Sequence, residues 1–318
     1  MVQEKECMNQ EALLIVGGLT SVGLHIASFF SQVGYKVVVL DALGIAQPPP
    51  ALQQVTFIHG SPTDTFLLAS LCKRYCFETV IYAGLAHNSA RLSFNPLAYY
   101  HTNVSQTLAA CKTLIEQGVK YVLVQSGIRA ALQTCPIGRS LRAGEELLSD
   151  YMRYKKRALC IMRLTHVAGA TPEEGIGSYL FEEKKLIPTM IHSLQTGSFF
   201  TVHGKRHETS DGTAQRDLVH PRDVAAAFFK AFLYLKAGEQ GATFVLATGH
   251  EISIAQLCRR AEILTGKQLI KRYAAPRVWD HPSLSAHASL TRAVLEWQPR
   301  YSEVDFILGS ELRLAFSS

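Results

Sequence analysis

Residues 13–23 have the sequence LLIVGGLTSVG, and this stretch decides the fold. Leu13–Val16 is an apolar run with the length of a buried strand, and the segment after the glycines predicts a helix over Gly23–Val33. Gly17 permits a tight turn, and Gly23 lets the helix pack closely on the strand. Because backbone N–H groups at the start of a helix attract anions, the stretch predicts a phosphate-binding loop.

Alternating strands and helices continue through the first half of the chain. Each predicted strand is a nearly continuous apolar run, which is typical of parallel strands buried on both faces. Right-handed crossovers then produce an α/β fold with a doubly wound parallel sheet, the Rossmann architecture. The predicted strands are Leu13–Val16, Lys36–Leu40, Gln54–His59, Thr79–Ala83, Tyr121–Ser126 and Leu159–Leu164, and the later helices are Thr65–Tyr75, Ala98–Gln117 and Arg139–Tyr154.

The pattern changes after Gly169. Segments rich in glycine, proline, histidine and charge, such as Thr171–Glu183 and Gly197–Gln215, separate shorter helices and strands. We therefore expect a dinucleotide-binding Rossmann domain over residues 11–169. A smaller C-terminal α/β substrate lobe is expected over residues 170–318, with segments that return to the sheet.

Composition limits the possible classes of function. Hydrophobic residues make up 47% of the chain and charged residues 18%, which predicts a large core and little disorder. The apolar runs are too short to span a bilayer and residues 1–10 do not resemble a signal peptide, so we expect a cytoplasmic protein without a membrane partner. The net charge of +6 is not concentrated in a basic stripe, which argues against nucleic-acid binding. Scattered cysteines, 7 in number, indicate free thiols, and no spacing indicates a metal site.

Two positions near the phosphate loop bear on its ligand. Thr20 stands where a glycine would let the backbone approach the phosphates, and its side chain intrudes on that space. Asp41 follows the second strand, where a carboxylate accepts hydrogen bonds from an adenosine ribose and repels a 2′-phosphate. The pattern therefore favours NAD over NADP. In the alternative interpretation, Gly17 and Gly23 are ordinary turn and packing residues.

Several segments match, in order, those of one enzyme family and cover nearly the whole chain. They are residues 17–23, Ala83-Gly84-Leu85, residues 95–100 with Asn103, residues 215–224, residues 275–277 and residues 295–297. Together they resemble the extended short-chain dehydrogenases of the NAD-dependent epimerase/dehydratase family, and most of all the UDP-glucose 4-epimerase type.

The resemblance implies a cofactor site, a substrate site and a homodimer. Family members pair through the helices that correspond to Ala98–Gln117 and Arg139–Tyr154. Three residues match contacts to a UDP-hexose: His166, where the family has an asparagine, and Arg216 and Arg277, which match arginines that reach the phosphates. A surface or ion-paired role is the alternative for each arginine. The implied cofactor contacts are Gly17, Thr20, Ser21, Val22, Gly23, Asp41, Ser61, Ala83, Gly84, Leu85 and Asn103, the last of which supports the active-site strand.

The residues that transfer protons in the family are replaced. There a tyrosine phenolate removes the sugar hydroxyl proton while hydride moves to NAD, a lysine four residues later lowers the tyrosine pKa, and a serine or threonine on the preceding strand shares the hydrogen bond. The matching positions are Ile137, Leu141 and Gly127. Ser126 is adjacent, but consecutive strand residues point to opposite faces. Ile137 follows Gly127 by only ten positions, where the family has a longer stretch that helps to form the sugar pocket.

A literal Tyr-x-x-x-Lys occurs later, at Tyr151 and Lys155. It begins 14 residues after Ile137, which is about 21 Å along a helix at 1.5 Å per residue. We therefore assign these two residues to packing at the end of the helix.

Three interpretations of function remain open. The first is an NAD-binding pseudoenzyme of the epimerase type with reduced or no activity. The second is an active NAD-dependent epimerase, dehydratase or reductase with a relocated acid or base, for which His87, His166 and Tyr82 are candidates. The third is a non-enzymatic scaffold or regulator.

Overall fold

A seven-stranded sheet organises the first half of the computed structural model, which describes residues 11–45, 47–85, 95–177 and 185–316. The strands of the described residues are β1 (Ala12–Val16), β2 (Lys36–Asp41), β3 (Thr56–His59), β4 (Thr79–Tyr82), β5 (Tyr121–Gly127), β6 (Ala158–Leu164), β7 (His166–Val167), β8 (Phe200–His203), β9 (Gln215–Val219), β10 (Thr243–Leu246), β11 (Glu251–Ser253), β12 (Lys271–Ala274) and β13 (Ser283–Leu284).

The order of strands in this sheet is β10-β6-β5-β4-β1-β2-β3. Strand β1 pairs in parallel with both β2 and β4, so the chain starts at the centre and its direction of winding reverses between β1 and β4. All five residues of β1 are buried, as expected for a strand covered on both faces. The predicted doubly wound Rossmann sheet is confirmed.

Helices connect the strands, and their ends follow from local hydrogen bonding. Thr20, Asp64 and Ser253 each accept a hydrogen bond from the first turn of the helix that they precede. The described helices are α1 (Ser21–Gln32), α2 (Thr65–Tyr75), α3 (Pro96–Tyr100), α4 (Thr107–Glu116), α5 (Arg129–Leu132), α6 (Pro136–Tyr154), α7 (Leu186–Thr196), α8 (Pro221–Lys236), α9 (Ile254–Thr265), α10 (Ser289–Leu295) and α11 (Val304–Phe316).

The helix predicted over Ala98–Gln117 differs from the observed one. It consists of α3 and α4 joined by a π-helical segment, His101–Gln106. The Thr107 hydroxyl donates to the Thr102 carbonyl at 3.0 Å, five residues back, which satisfies a carbonyl of the widened turn. The wider turn contains Asn103, whose side chain is fully buried.

The described residues divide into two compact units. The first extends to Arg163 and also contains Ala225–Phe244, and the second contains Leu164–Val224 and the residues from Val245 onwards. The first unit ends before the predicted boundary at residue 169 because β7 pairs with β9 of the second unit.

Each unit has its own core. In the first, Phe30 of α1 packs edge-to-face against Phe232 of α8 with ring centroids 5.5 Å apart, which holds the returning helix. In the second, α7, α9 and α11 bury residues such as Met190, Cys258 and Ile307 against a four-stranded sheet of β7, β9, β11 and β13 and a two-stranded sheet of β8 and β12.

Some features bear on the excluded classes of function. Within the described ranges, no helix is long and apolar enough to cross a membrane, and no cluster of three or more His, Cys, Asp or Glu side chains is arranged to hold a metal. The cytoplasmic location stays a prediction. The described cysteines are free thiols, and burial raises the pKa of Cys111 to about 12, so this thiol is protonated at neutral pH.

Candidate functional site

The loop after β1 brings two backbone segments into contact at the point where strand order reverses. Gly17 has φ +72°, and a Cβ placed on it would lie 2.4 Å from the Cα of Gly84, just after β4. A Cβ on Gly23 would lie 2.4 Å from the carbonyl oxygen of Gly18. These glycines are therefore required by the geometry, and they leave backbone rather than side chains at the switch point, where ligands bind in doubly wound folds.

Thr20 closes part of the phosphate-binding loop. It is the N-cap residue of α1, and its hydroxyl oxygen accepts a hydrogen bond from the N–H of Gly23 at 3.0 Å. One N–H group of the helix start is therefore already satisfied by the protein. Ser21 and Val22 follow in the first turn and are buried.

Asp41, at the end of β2, is the only carboxylate among the residues that line a cavity of about 170 Å³. One of its oxygens accepts from the N–H of Leu19 at 2.8 Å, and the other accepts from the N–H of Leu43 at 2.8 Å. Val39 and Phe57 contribute apolar walls. A carboxylate oxygen has two lone pairs, so Asp41 retains acceptor capacity for a ligand hydroxyl while the backbone bonds fix its orientation.

The other predicted cofactor positions lie after further parallel strands. Ala83, Gly84 and Leu85 follow β4, and the Ala83 N–H donates to the Val16 carbonyl at 2.8 Å. Ser61 lies beyond β3 and is exposed, with its hydroxyl 2.8 Å from that of Thr63. Asn103 is placed differently, since its side-chain amide donates to the Ser140 hydroxyl of α6 at 3.0 Å. The described contact thus supports the helix that carries Ile137 and Leu141.

The three positions that match proton-transfer residues are all buried. Gly127 is the last residue of β5, and Ile137 and Leu141, each 1% exposed, lie in the first two turns of α6. A Cβ on Gly138 would lie 2.3 Å from the carbonyl oxygen of Arg129, so α5 packs directly against the start of α6. Neither aliphatic side chain exchanges a proton at any pH.

Ser126 belongs to a buried ionic network instead of an open site. Its hydroxyl donates to Glu145 of α6 at 2.6 Å. Glu145 also accepts from the Arg163 Nε at 3.0 and 3.2 Å and from its Nη2, and the two side chains are 3% and 12% exposed. This network fastens α6 to β5 and β6.

The sequence held signals for this network that the analysis of motifs missed. Glu145 falls on the same helical face as Ile137, Leu141 and Leu148, so a carboxylate interrupts a buried stripe. Arg163 likewise interrupts the apolar run of β6. Because buried charges are paired, each residue on its own predicts a partner of opposite sign.

The candidates for a relocated acid or base have unfavourable or undescribed surroundings. Burial raises the pKa of the Tyr82 phenol above its usual value, and a hydrogen bond with Thr107 offsets only part of this. His166 is half-buried on β7 in the second unit, and His87 lies outside the described residues. Tyr151 is in the last turn of α6, and Lys155 lies 5.6 Å from the centre of its ring.

The two arginines of the second unit have different surroundings. Arg216 donates to Asp280 at 2.7 Å and to the carbonyl oxygens of Gln215 and His281 at 2.6 and 3.0 Å. Arg277 is exposed. The ion pair means that an anion at Arg216 also meets the negative charge of Asp280.

His220 and Asp223 hold the second unit together. The His220 ring contacts the Ala170 carbonyl through Nε2 at 3.1 Å and accepts the Arg222 N–H through Nδ1 at 3.1 Å. Asp223 accepts from the N–H groups of Arg300 and Tyr301 at 2.8 and 2.9 Å. These contacts give both residues a structural role.

Comparison with known proteins identifies the family. The model of the NAD dependent epimerase/dehydratase family matches residues 13–247. The chain belongs to this family.

Individual members of the family match almost end to end. A UDP-glucose 4-epimerase from Halalkalibacterium halodurans is 28% identical over 310 residues, which are 92% of this chain and 92% of that protein. One from Streptococcus mutans is 28% identical over 94% of this chain and 95% of that protein. The crystal structure of UDP-glucose 4-epimerase from Brucella ovis in complex with NAD superposes with a TM-score of 0.87 at 25% identity, covering 95% of this chain and 98% of that one.

We predict that the buried network is essential for stability. Replacing Glu145 by Gln leaves the Arg163 guanidinium without its counter-charge in a low-dielectric site, so the free energy of unfolding should fall by about 3–5 kcal/mol. Urea denaturation measures this. The matched control is Glu146→Gln, next to it on α6, which breaks an exposed pair with Arg142 and should cost at most about 1 kcal/mol. Equal losses in the two variants would contradict the prediction.

Proposed function

We propose that this protein is an NAD-binding member of the UDP-glucose 4-epimerase type whose epimerase activity is reduced or absent. The observation that carries the proposal is the pair of buried aliphatic side chains, Ile137 and Leu141, at the start of α6. Similarity to UDP-glucose 4-epimerases along almost the whole chain supports the type of ligand. The absence of an ionisable group at these two positions argues against ordinary turnover.

The described residues of the first unit fit an adenine dinucleotide. Gly17 and Gly84 leave room for the backbone to approach a pyrophosphate, and Asp41 faces a cavity with apolar walls. Thr20 reduces the number of free N–H donors but does not fill this cavity. When bound, NAD supplies the hydride acceptor for the family's chemistry, and the protein supplies position and proton control.

The expected loss of rate follows from general acid–base catalysis. A positioned acid or base contributes about 10²–10⁴-fold, which corresponds to about 3–5 kcal/mol of the activation barrier. Tyr82 is a poor substitute because its phenolate is disfavoured by burial. A relocated acid or base therefore receives no support from this residue, and the proposal keeps a nucleotide sugar as a ligand and not as a rapidly converted substrate.

We predict very slow interconversion of UDP-glucose and UDP-galactose. With NAD present, turnover should be at least about 100-fold slower than that of the Halalkalibacterium halodurans relative assayed in parallel. Chromatographic separation of the two sugars measures it. A Gly17→Val variant purified in the same way reveals contaminating activity, because it blocks the switch point. Turnover within tenfold of the relative, lost in this variant, would refute the reduced activity and favour a relocated acid or base.

We predict that NAD, and not NADP, raises the melting temperature of the purified protein. Ligand that binds only the folded state stabilises it by mass action, and Asp41 repels a 2′-phosphate. Differential scanning fluorimetry measures the shifts. Asp41→Ser should lower the NAD shift and reduce the preference over NADP, whereas Asp150→Asn, which removes an exposed carboxylate, should change neither. No shift with NAD, NADP or UDP-sugars would favour a scaffold or regulator.

We also propose that the protein forms a homodimer through α3, α4 and α6. Leu97 and Leu147 are 77% and 47% exposed on these helices, which is unusual for large apolar side chains. Leu147→Glu should shift the mass measured by light scattering from dimer to monomer. Leu233→Glu, at an equally exposed position of α8, is the control that should stay dimeric. A monomeric unmodified protein would disprove the pairing.

A further inference from the structure

The two halves of the sheet in the first unit differ in how much room they leave for a ligand. A doubly wound fold binds each nucleotide of a dinucleotide with one half of its sheet, on either side of the switch point. In this chain, the half formed by β1, β2 and β3 contains the bare glycine loop and the cavity beside Asp41. The half formed by β4, β5 and β6 therefore corresponds to the nicotinamide nucleotide.

Apolar side chains fill the described part of this second half. Ile137 and Leu141 are 1% exposed, Cys135 is 2% exposed, and Ala130 of α5 is fully buried. Residues that line an open binding crevice are accessible when no ligand covers them. These side chains are covered by the protein itself.

The connection between β5 and α6 accounts for the filling. It spans residues 128–135 and contains the single helical turn α5. The Arg129 carbonyl oxygen is so close to Gly138 that a methyl group there would lie 2.3 Å from it. With α5 held at this distance, the start of α6 is packed as core and not as a pocket wall.

We infer that the protein recognises the adenosine diphosphate part of its cofactor and that the nicotinamide ring adds almost nothing to binding. This inference rests on the proposed binding of NAD and specifies its ligand class: molecules that contain adenosine 5′-diphosphate, with or without nicotinamide. Asp41 and the cavity beside it supply recognition of the adenosine, and the N–H groups at the start of α1 supply recognition of the diphosphate. The ligand then acts as a bound effector and not as a hydride carrier.

Calorimetric titration of the full-length protein with NAD⁺, ADP-ribose and ADP tests the inference. ADP-ribose lacks only the nicotinamide, so its dissociation constant should be within about threefold of that of NAD⁺. Asp41→Ser should weaken NAD⁺ and ADP-ribose by a similar factor, on the order of tenfold, because it removes the same ribose contact from both. Asp150→Asn is the control and should leave both constants unchanged.

A spectroscopic readout gives an independent check. The fluorescence of NADH shifts and brightens when its nicotinamide ring enters a protein, so bound NADH should emit like NADH in water. ADP-ribose that binds more than about tenfold weaker than NAD⁺, or a clear change in NADH emission, would overturn the inference while leaving the proposed binding of NAD intact. Absence of binding by all of these molecules would overturn both.

Discussion

The contact between Gly17 and Gly84 is the constraint on which the organisation of the first unit depends. With φ +72° at Gly17 and its ideal Cβ only 2.4 Å from the Gly84 Cα, a side chain at this position meets both backbone strain and a collision. The left-handed conformation alone costs an L-residue about 1–2 kcal/mol. The absence of side chains lets β1 and β4 end side by side, and this opens the crevice at the switch point. The position of Asp41, the cap at Thr20 and the start of α1 all follow from that arrangement.

Binding and chemistry depend on different parts of this unit, so one is separable from the other. The glycine loop and Asp41 are set by strands β1 and β2, whereas proton transfer in the family depends on the start of α6. Aliphatic residues at 137 and 141 join the core, and full burial of such a side chain contributes about 1.5–3 kcal/mol. A tyrosine and a lysine that work on a substrate must stay accessible, and the strain of keeping polar groups in a cleft lowers stability. The start of α6 in this chain is optimised for packing.

Sequence predicted the strands of the sheet well because each is a short apolar run whose burial decides its conformation. It also placed the phosphate loop and Asp41, since both follow directly from the ends of strands. The wide turn around Asn103 was not predicted, because a π-helical turn has the same side-chain pattern as an α-helix. The pairing of Glu145 with Arg163, and that of Arg216 with Asp280, join residues far apart in sequence. A pattern can show that a buried charge needs a partner, but only the fold determines which partner lies within reach.

Charge pairing within the second unit affects how the whole chain selects ligands. Arg216 and Asp280 are each 11% exposed, and their contact of 2.7 Å neutralises a charge that would otherwise attract phosphate. A diphosphate at this arginine gains a cation but also approaches an anion in a poorly solvated place, so the net attraction is smaller than for an unpaired arginine. Arg277 is exposed, and water screens its charge. The cavity beside Asp41 is already formed and needs no such competition. Selection of ligands therefore depends more on the adenosine end of a dinucleotide than on the phosphates of a sugar nucleotide.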